Sequence, residues 1–210
     1  MKKILIYFAT ACLLFTFTQS CKKGDGDPLV SLLTRTQRLT GTWKVTKEES
    51  KIEYRSTAMP DTSIITNVIY DGIKAVATTV YSNKTSSFKA VDTTYYEDEI
   101  RFDKDGKYTK SISYNLTSIR NTTEGNWIFL GKSEAYDLKN KEAILLTISS
   151  YLTTDGTNTQ IMNYKDLDGE TLVINQLKNK QLIITNNKTF TNDNSLESGS
   201  MTVKTTYEAK

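Results

Sequence analysis

The stretch EIRFDKDGKYTKSISYNL, residues 99–116, decides the fold class because it predicts two β-strands joined by a tight turn. Ile100 and Phe102 alternate with charged residues, and Asp105-Gly106 is a typical hairpin dipeptide. Beyond the turn, large side chains recur at every second position, as they do on one face of a strand. That face carries Tyr108, Ile112, Tyr114 and Leu116. We therefore predict an antiparallel hairpin with one inward face.

The remaining chain predicts more strands of the same kind. Residues 170–185 form a second hairpin pattern, joined through residues 178–180, and the composition is rich in Thr, Tyr, Ile and Val with two prolines. Residues 62–95 hold apolar segments without a clean period, so their strand order is not assigned. Residues 28–40 show helical spacing of leucines. Further strands are predicted at Thr42–Tyr54, Thr123–Leu130, Glu142–Tyr151, Gln160–Lys165 and Met201–Tyr207.

These elements predict one all-β domain over residues 29–210. We expect an antiparallel meander of about eight to ten strands that closes into a barrel, because closure removes exposed strand edges. A short helix precedes the first strand.

The first 28 residues have the composition of an export signal followed by a linker. Two lysines precede an apolar stretch at residues 4–17, which is too short to span a bilayer, and residues 1–20 match a secretory signal peptide. Cys21 stands where bacterial lipoproteins carry their acylated cysteine, and residues 21–28 resemble a flexible tether. The alternative is an ordinary signal peptide with an incidental cysteine. We expect a lipid anchor at Cys21, in a bacterial cell envelope and at the outer membrane, with the membrane face unassigned.

Net charge argues against nucleic acid as a partner. The chain has 27 basic and 24 acidic residues, and residues 1–20 hold two lysines and no acidic residue. The mature part therefore carries a net charge of +1, and its basic residues are scattered rather than clustered. Such a chain has no strong field to attract polyanions.

The residue types also argue against catalysis. The chain has no histidine, and both cysteines lie before residue 22, so the mature domain lacks the commonest general base and any thiol. Glu97 and Glu99 share a strand face, but Arg101 lies on the same face, which is typical of a solvated surface. The acidic turns near Gly106 and Gly169 lack the spacing of calcium loops. We predict no enzyme activity, no metal and no cofactor.

Several motifs together resemble the lipocalin-like domain of bacterial envelope lipoproteins. The order is a lipoprotein signal, a linker, a short helix and then Gly41-Thr42-Trp43, which is similar to the G-x-W opening of lipocalins. A second such triplet, Gly125-Asn126-Trp127, follows in EGNWIFLG. The resemblance implies that the glycine allows close chain approach at a closed barrel end and that the tryptophan plugs that end.

Two functional hypotheses follow. In the first, which we favour because lipocalins are carriers, the barrel binds a small apolar or amphipathic ligand. In the second, the interior is packed solid and the domain is a structural or protein-interaction module of the envelope, since barrels of about eight strands can do either. Lys110 falls in phase with Tyr108; it is expected at the rim reaching solvent, or else facing an anionic head group. The candidate ligand-binding residues are Trp43, Tyr108, Ile112, Tyr114, Trp127 and Phe129.

Overall fold

The structure, a computed structural model, describes residue 27 and residues 33–56, 59–115, 117–134, 138, 142–164, 169–192 and 197–210. Within these ranges it contains eleven strands and one short helix, α1 (Arg35–Leu39). The strands are β1 (Gly41–Ser56), β2 (Met59–Tyr70), β3 (Lys74–Ser82), β4 (Ser87–Phe102), β5 (Lys107–Tyr114), β6 (Ile119–Phe129), β7 (Ala143–Asp155), β8 (Asn158–Asn163), β9 (Gly169–Leu177), β10 (Gln181–Asn192) and β11 (Glu197–Ala209).

The strands form a closed antiparallel barrel, which confirms the predicted all-β fold with a short N-terminal helix. Ten strands make the ring, closed by pairing of β6 with β7. β8 is the eleventh strand and pairs with β7 beside the ring. Residues 62–95, left unassigned from sequence, form β2, β3 and the first half of β4.

The helix is shorter than its leucine spacing predicts. It begins at Arg35 because Thr34 caps it: the Thr34 hydroxyl accepts from the Gln37 backbone N–H, and the Gln37 side chain accepts from the Thr34 N–H. Residues 28–32, included in the predicted helix, lie outside the described residues.

The barrel is narrower at one end because β1 changes its partner. Residues Gly41–Lys44 pair directly with β4, whereas β1 pairs with β2 from Glu48 onward. A β-bulge between Val45 and Lys47 accompanies the change. At the Gly41 end the ring therefore has eight strands, and beyond the bulge the β2–β3 hairpin enters between β1 and β4 and makes it ten. We call these the packed end and the wide end.

The β2–β3 turn fills the point where β1 and β4 separate. Gly72, with φ +97°, lies against the Thr46 backbone, where an added Cβ would be 3.3 Å from the carbonyl oxygen. The Tyr70 hydroxyl donates to the Tyr96 carbonyl at 2.9 Å, and the two rings stack with centroids 4.6 Å apart. These contacts hold the inserted hairpin in place.

The packed end contains most of the apolar core. Trp43 is 1% exposed and donates from Nε1 to the Leu39 carbonyl at 2.7 Å, which ties α1 to β1. Phe102 and Trp127 meet edge to face at 5.7 Å. Other side chains with 0% exposure at this end include Leu39, Ile144, Ile174, Leu177 and Leu182.

Asp27 belongs to this end as well, although sequence analysis places it in the tether. It is buried, its Oδ2 lies 2.6 Å from Nη1 of Arg35, and its Oδ1 accepts from the Leu177 N–H at 2.6 Å. The ion pair and the backbone bond compensate its burial. Asp27 is therefore part of the folded unit rather than of a free linker.

The two G-x-W glycines serve different purposes. At Gly41 an added Cβ would meet nothing within 4 Å, so the expected close approach is wrong there, and its φ of +136° is what requires glycine. At Gly125 an added Cβ would lie 1.8 Å from the Thr147 carbonyl oxygen and 2.8 Å from the Tyr108 ring. Close chain approach is therefore the role of Gly125, at the β6–β7 bulge.

We predict that Gly125→Ala lowers the free energy of unfolding by about 3 kcal/mol, because the methyl group must push two backbones apart. Urea denaturation of the parent and the variant measures this difference.

Gly131→Ala is the matched control, because Gly131 has open space around its Cβ position and no positive φ. Its stability should stay within about 1 kcal/mol of the parent. Equal stability of the two variants would contradict the close approach at Gly125.

Candidate functional site

The wide part of the barrel contains two adjoining cavities. The larger has a volume of about 350 Å³ and is lined from β1, β5, β9, β10 and β11; the smaller has about 230 Å³ and is lined from β5, β6, β7 and β9. Lys110 and Glu170 line both. We call the two cavities together the lumen. The larger falls in the size range of small-molecule sites.

The lumen wall combines apolar and polar side chains. The larger cavity is lined by five apolar side chains, Ile52, Leu172, Ile184, Met201 and Val203, and by seven polar ones, Glu48, Ser50, Lys110, Glu170, Asn186, Thr205 and Tyr207. In a binding site for small molecules, apolar side chains remove the ligand from water and polar groups fix its orientation.

An ion pair between a half-buried lysine and a buried carboxylate lies in the interior beside the lumen. Nζ of Lys110 is 3.1 Å from Oδ2 of Asp98, whose side chain is 6% exposed. Oδ1 of Asp98 has no hydrogen-bond partner in the described part of the chain. With Glu48 and Tyr207, which interact with this pair electrostatically, they form the lumen cluster.

Burial and charge shift the pKa values of the lumen cluster. Burial raises the pKa of Asp98, although the charge of Lys110 opposes it. Burial alone would lower the pKa of Lys110, but attraction to Asp98 and their hydrogen bond raise it. Burial also raises the pKa of Tyr207. Lys110 therefore stays protonated at neutral pH.

Glu48 is the acidic group of the cluster that faces the larger cavity. Its Oε2 accepts from the Thr205 hydroxyl at 3.2 Å, and no Lys or Arg forms an ion pair with it among the described residues. Burial raises its pKa, and the more distant charge of Lys110 partly offsets this.

Glu170 also faces the lumen but is already paired. Its Oε1 lies 2.6 Å from Nζ of Lys188 and accepts from Nδ2 of Asn186 at 2.5 Å. Both partners lie on β10, next to the stretch where β9 and β10 pair through their backbones, which ends at Val173 and Thr185. The side-chain contacts therefore hold the two strands together beyond that stretch.

The structure divides the six predicted ligand-binding residues between the two ends. Tyr108 and Ile112 line the smaller cavity, and burial raises the pKa of Tyr108 to about 12. Trp43 and Trp127 pack in the narrow end, and Phe129 contacts Trp127 with ring centroids 5.5 Å apart.

Tyr114 lies next to the stacked rings of Tyr70 and Tyr96, where β1 and β4 separate, rather than in either cavity wall. Its ring centroid is 6.0 Å from that of Tyr96. The larger cavity contains none of the six predicted residues.

The rim position expected for Lys110 is wrong. The side chain lines both cavities and pairs with Asp98 inside the barrel, so its 36% exposed fraction faces the lumen. Its charge is already compensated, which also weakens the alternative of an anionic head group.

The other sequence candidates lie on the outer surface or outside the described residues. Glu97 and Glu99 face outward and pair with Lys44 at 3.2 Å and Lys210 at 2.7 Å. Among the described residues no group of three or more acidic, His or Cys side chains is arranged to hold a metal ion. Cys21 and the signal segment lie outside the described residues.

Sequence reasoning missed Asp98, Glu48 and Glu170. Asp98 carries a readable signal, because it shares the inward face of β4 with Ile100 and Phe102, where a carboxylate needs a partner. Glu48 carries none, since the bulge before it reverses which residues of β1 face inward.

Comparison of the chain with protein families, with curated proteins and with solved structures gives no match in any of the three. The resemblance to lipocalins therefore stays a prediction. No helix within the described ranges is long and apolar enough to cross a membrane.

We predict that Lys110→Met destabilises the domain by about 2 kcal/mol at neutral pH, between the values for exposed and buried pairs. The reason is that Asp98 would be left charged, buried and unpaired. Without Lys110 the folded-state pKa of Asp98 rises further above its unfolded value. The variant therefore regains stability as pH falls through that pKa, and urea denaturation at neutral and mildly acidic pH measures the difference.

Lys107→Met is the control on the same strand, because Lys107 is exposed, and it should cost less than about 0.5 kcal/mol. The double variant Asp98→Asn, Lys110→Met should recover most of the loss. If Lys110→Met lowers the free energy of unfolding at neutral pH no more than Lys107→Met does, the pairing of Lys110 with Asp98 inside the barrel is contradicted.

Proposed function

We propose that this protein is a non-catalytic envelope lipoprotein, anchored through Cys21, whose barrel binds a small amphipathic ligand. The observation that carries the ligand is the lumen, whose larger cavity of about 350 Å³ is lined by five apolar and seven polar side chains and therefore suits an amphipathic molecule. Its presence favours ligand binding over the alternative of a structural or protein-interaction module with a solid interior.

The anchor is supported by the sequence. A cysteine directly follows an apolar segment and precedes a polar, glycine-containing linker. Two or three acyl chains on one cysteine hold a protein stably at a membrane, so no spanning helix is needed. With Asp27 fixed at the packed end, the anchor would place that end toward the membrane and leave the wide end facing away.

The absence of catalysis is supported by residue types. The chain contains no histidine, and its mature part contains no thiol. Lys110, the lysine that lines the lumen, is paired and has a raised pKa, which makes it a poor nucleophile or base at neutral pH.

One experiment tests both parts of the proposal. The full chain and its Cys21→Ser variant are expressed in a Gram-negative host, and the soluble and membrane fractions are compared. We expect the parent in the membrane and the variant in the soluble envelope fraction, while Cys12→Ser behaves as the parent because Cys12 leaves with the signal. Native mass spectrometry of the detergent-free Cys21→Ser protein should then show an additional mass that denaturation removes.

Each half has its own contrary result. A Cys21→Ser protein that stays in the membrane contradicts the lipid anchor. A bare polypeptide mass from the soluble protein contradicts a tight-binding carrier and favours the packed interaction module.

A further inference from the structure

The charge balance of the lumen is negative, which narrows the class of ligand. Three carboxylates belong to it or lie directly beside it: Glu48, Asp98 and Glu170. Two of them have lysine partners, Lys110 for Asp98 and Lys188 for Glu170. Among the described residues the third, Glu48, has the Thr205 hydroxyl as its hydrogen-bond partner and no ion pair. The three carboxylates therefore outnumber the two lysines by one, and Glu48 faces the larger cavity without an ion-pair partner among the described residues.

A second acceptor in the cluster is also unsatisfied. Oδ1 of Asp98 is buried without a hydrogen-bond donor, in a residue that is 4% exposed. A buried acceptor without a donor is unfavourable, because no hydrogen bond replaces its lost hydration. The cluster thus has more hydrogen-bond acceptors than donors and more negative than positive charge. An ammonium group complements both, because it carries one positive charge and several N–H donors.

The wall next to Glu48 suits the remainder of such a molecule. Ser50 and Ile52 follow Glu48 along the same face of β1, and Met201 and Val203 lie on the neighbouring β11. Leu172 and Ile184 complete the apolar side of the larger cavity. An alkyl or aryl group placed there would be removed from water while its head group stays at Glu48.

We propose that Glu48 binds the protonated amine of an amphipathic ligand whose apolar part lies along the β1, β10 and β11 wall of the larger cavity. This proposal rests on the proposed function, because it names the chemical class of the ligand for the same lumen. An anionic head group is disfavoured there, since it would meet Glu48 without an unpaired lysine to neutralise it.

The test uses three probes that share one alkyl chain and differ in head-group charge: octylamine, octanol and octanoate. Isothermal titration calorimetry of each probe into the soluble Cys21→Ser protein measures affinity. We expect octylamine to bind tightest and octanoate weakest. In a Glu48→Gln background the octylamine affinity should fall about tenfold or more, as expected for loss of one charge-assisted hydrogen bond.

The matched control is Glu49→Gln. Glu49 is the next residue of β1, but it points outward and pairs with Lys47 at 2.6 Å, so octylamine affinity should stay unchanged. Octanol binding should be equal in the parent and in Glu48→Gln, which shows that the variant keeps a folded lumen.

The contrary outcomes separate this inference from the function on which it rests. If octanoate binds as tightly as octylamine, the role of Glu48 is overturned while ligand binding stands. The same holds if Glu48→Gln leaves the octylamine affinity intact. Failure of all three probes to bind counts against the lumen as a ligand site and therefore against both proposals.

Discussion

The change of partner along β1 is the constraint on which the rest of the structure depends. β1 pairs with β4 over Gly41–Lys44 and with β2 from Glu48, so the ring widens from eight strands to ten within one strand. Because barrel diameter grows with strand number, eight strands leave just enough room for side chains, whereas ten leave space unfilled. The filled core around Trp43 at the packed end and the lumen at the wide end both follow from this single change of partner.

The lumen then determines where charge can be placed. In the packed end the interior is filled by aromatic and aliphatic side chains. The buried charges at this end are Asp27 and the α1 residues Arg35 and Arg38, whose contacts fix the helix to the barrel. At the wide end, where β2 and β3 enter the ring, the extra space admits Lys110, Asp98 and Glu48. Such a cluster is costly inside a protein unless its members are paired. Lys110 and Asp98 are paired, whereas Glu48 has no ion pair among the described residues and accepts a hydrogen bond from Thr205.

The sequence predicts regular strands well and irregular ones poorly. In β5 strict alternation places Tyr108 and Ile112 on the inward face, and both line the lumen. In β1 the alternation of inward and outward side chains is broken by the bulge. Counting every second residue from Trp43 therefore places Glu48 on the outward face, although it faces inward. The β2–β3 hairpin is ambiguous because both of its faces are partly exposed, as Ile69 at 60% shows. Pairing between strands distant in the chain creates the site, and local patterns do not encode it.

Chemical access to the two ends tests the central claim most directly. Because residues 22–210 contain no cysteine, single cysteines can be placed in the barrel of a Cys12→Ser, Cys21→Ser protein without interference. Val203→Cys lies in the wall of the larger cavity, and Leu182→Cys lies at a packed position with 0% exposure. A barrel that is solid at one end and hollow at the other predicts that a small water-soluble thiol reagent modifies Val203→Cys in the folded protein and Leu182→Cys only after unfolding. Equal protection of both cysteines would contradict the hollow lumen.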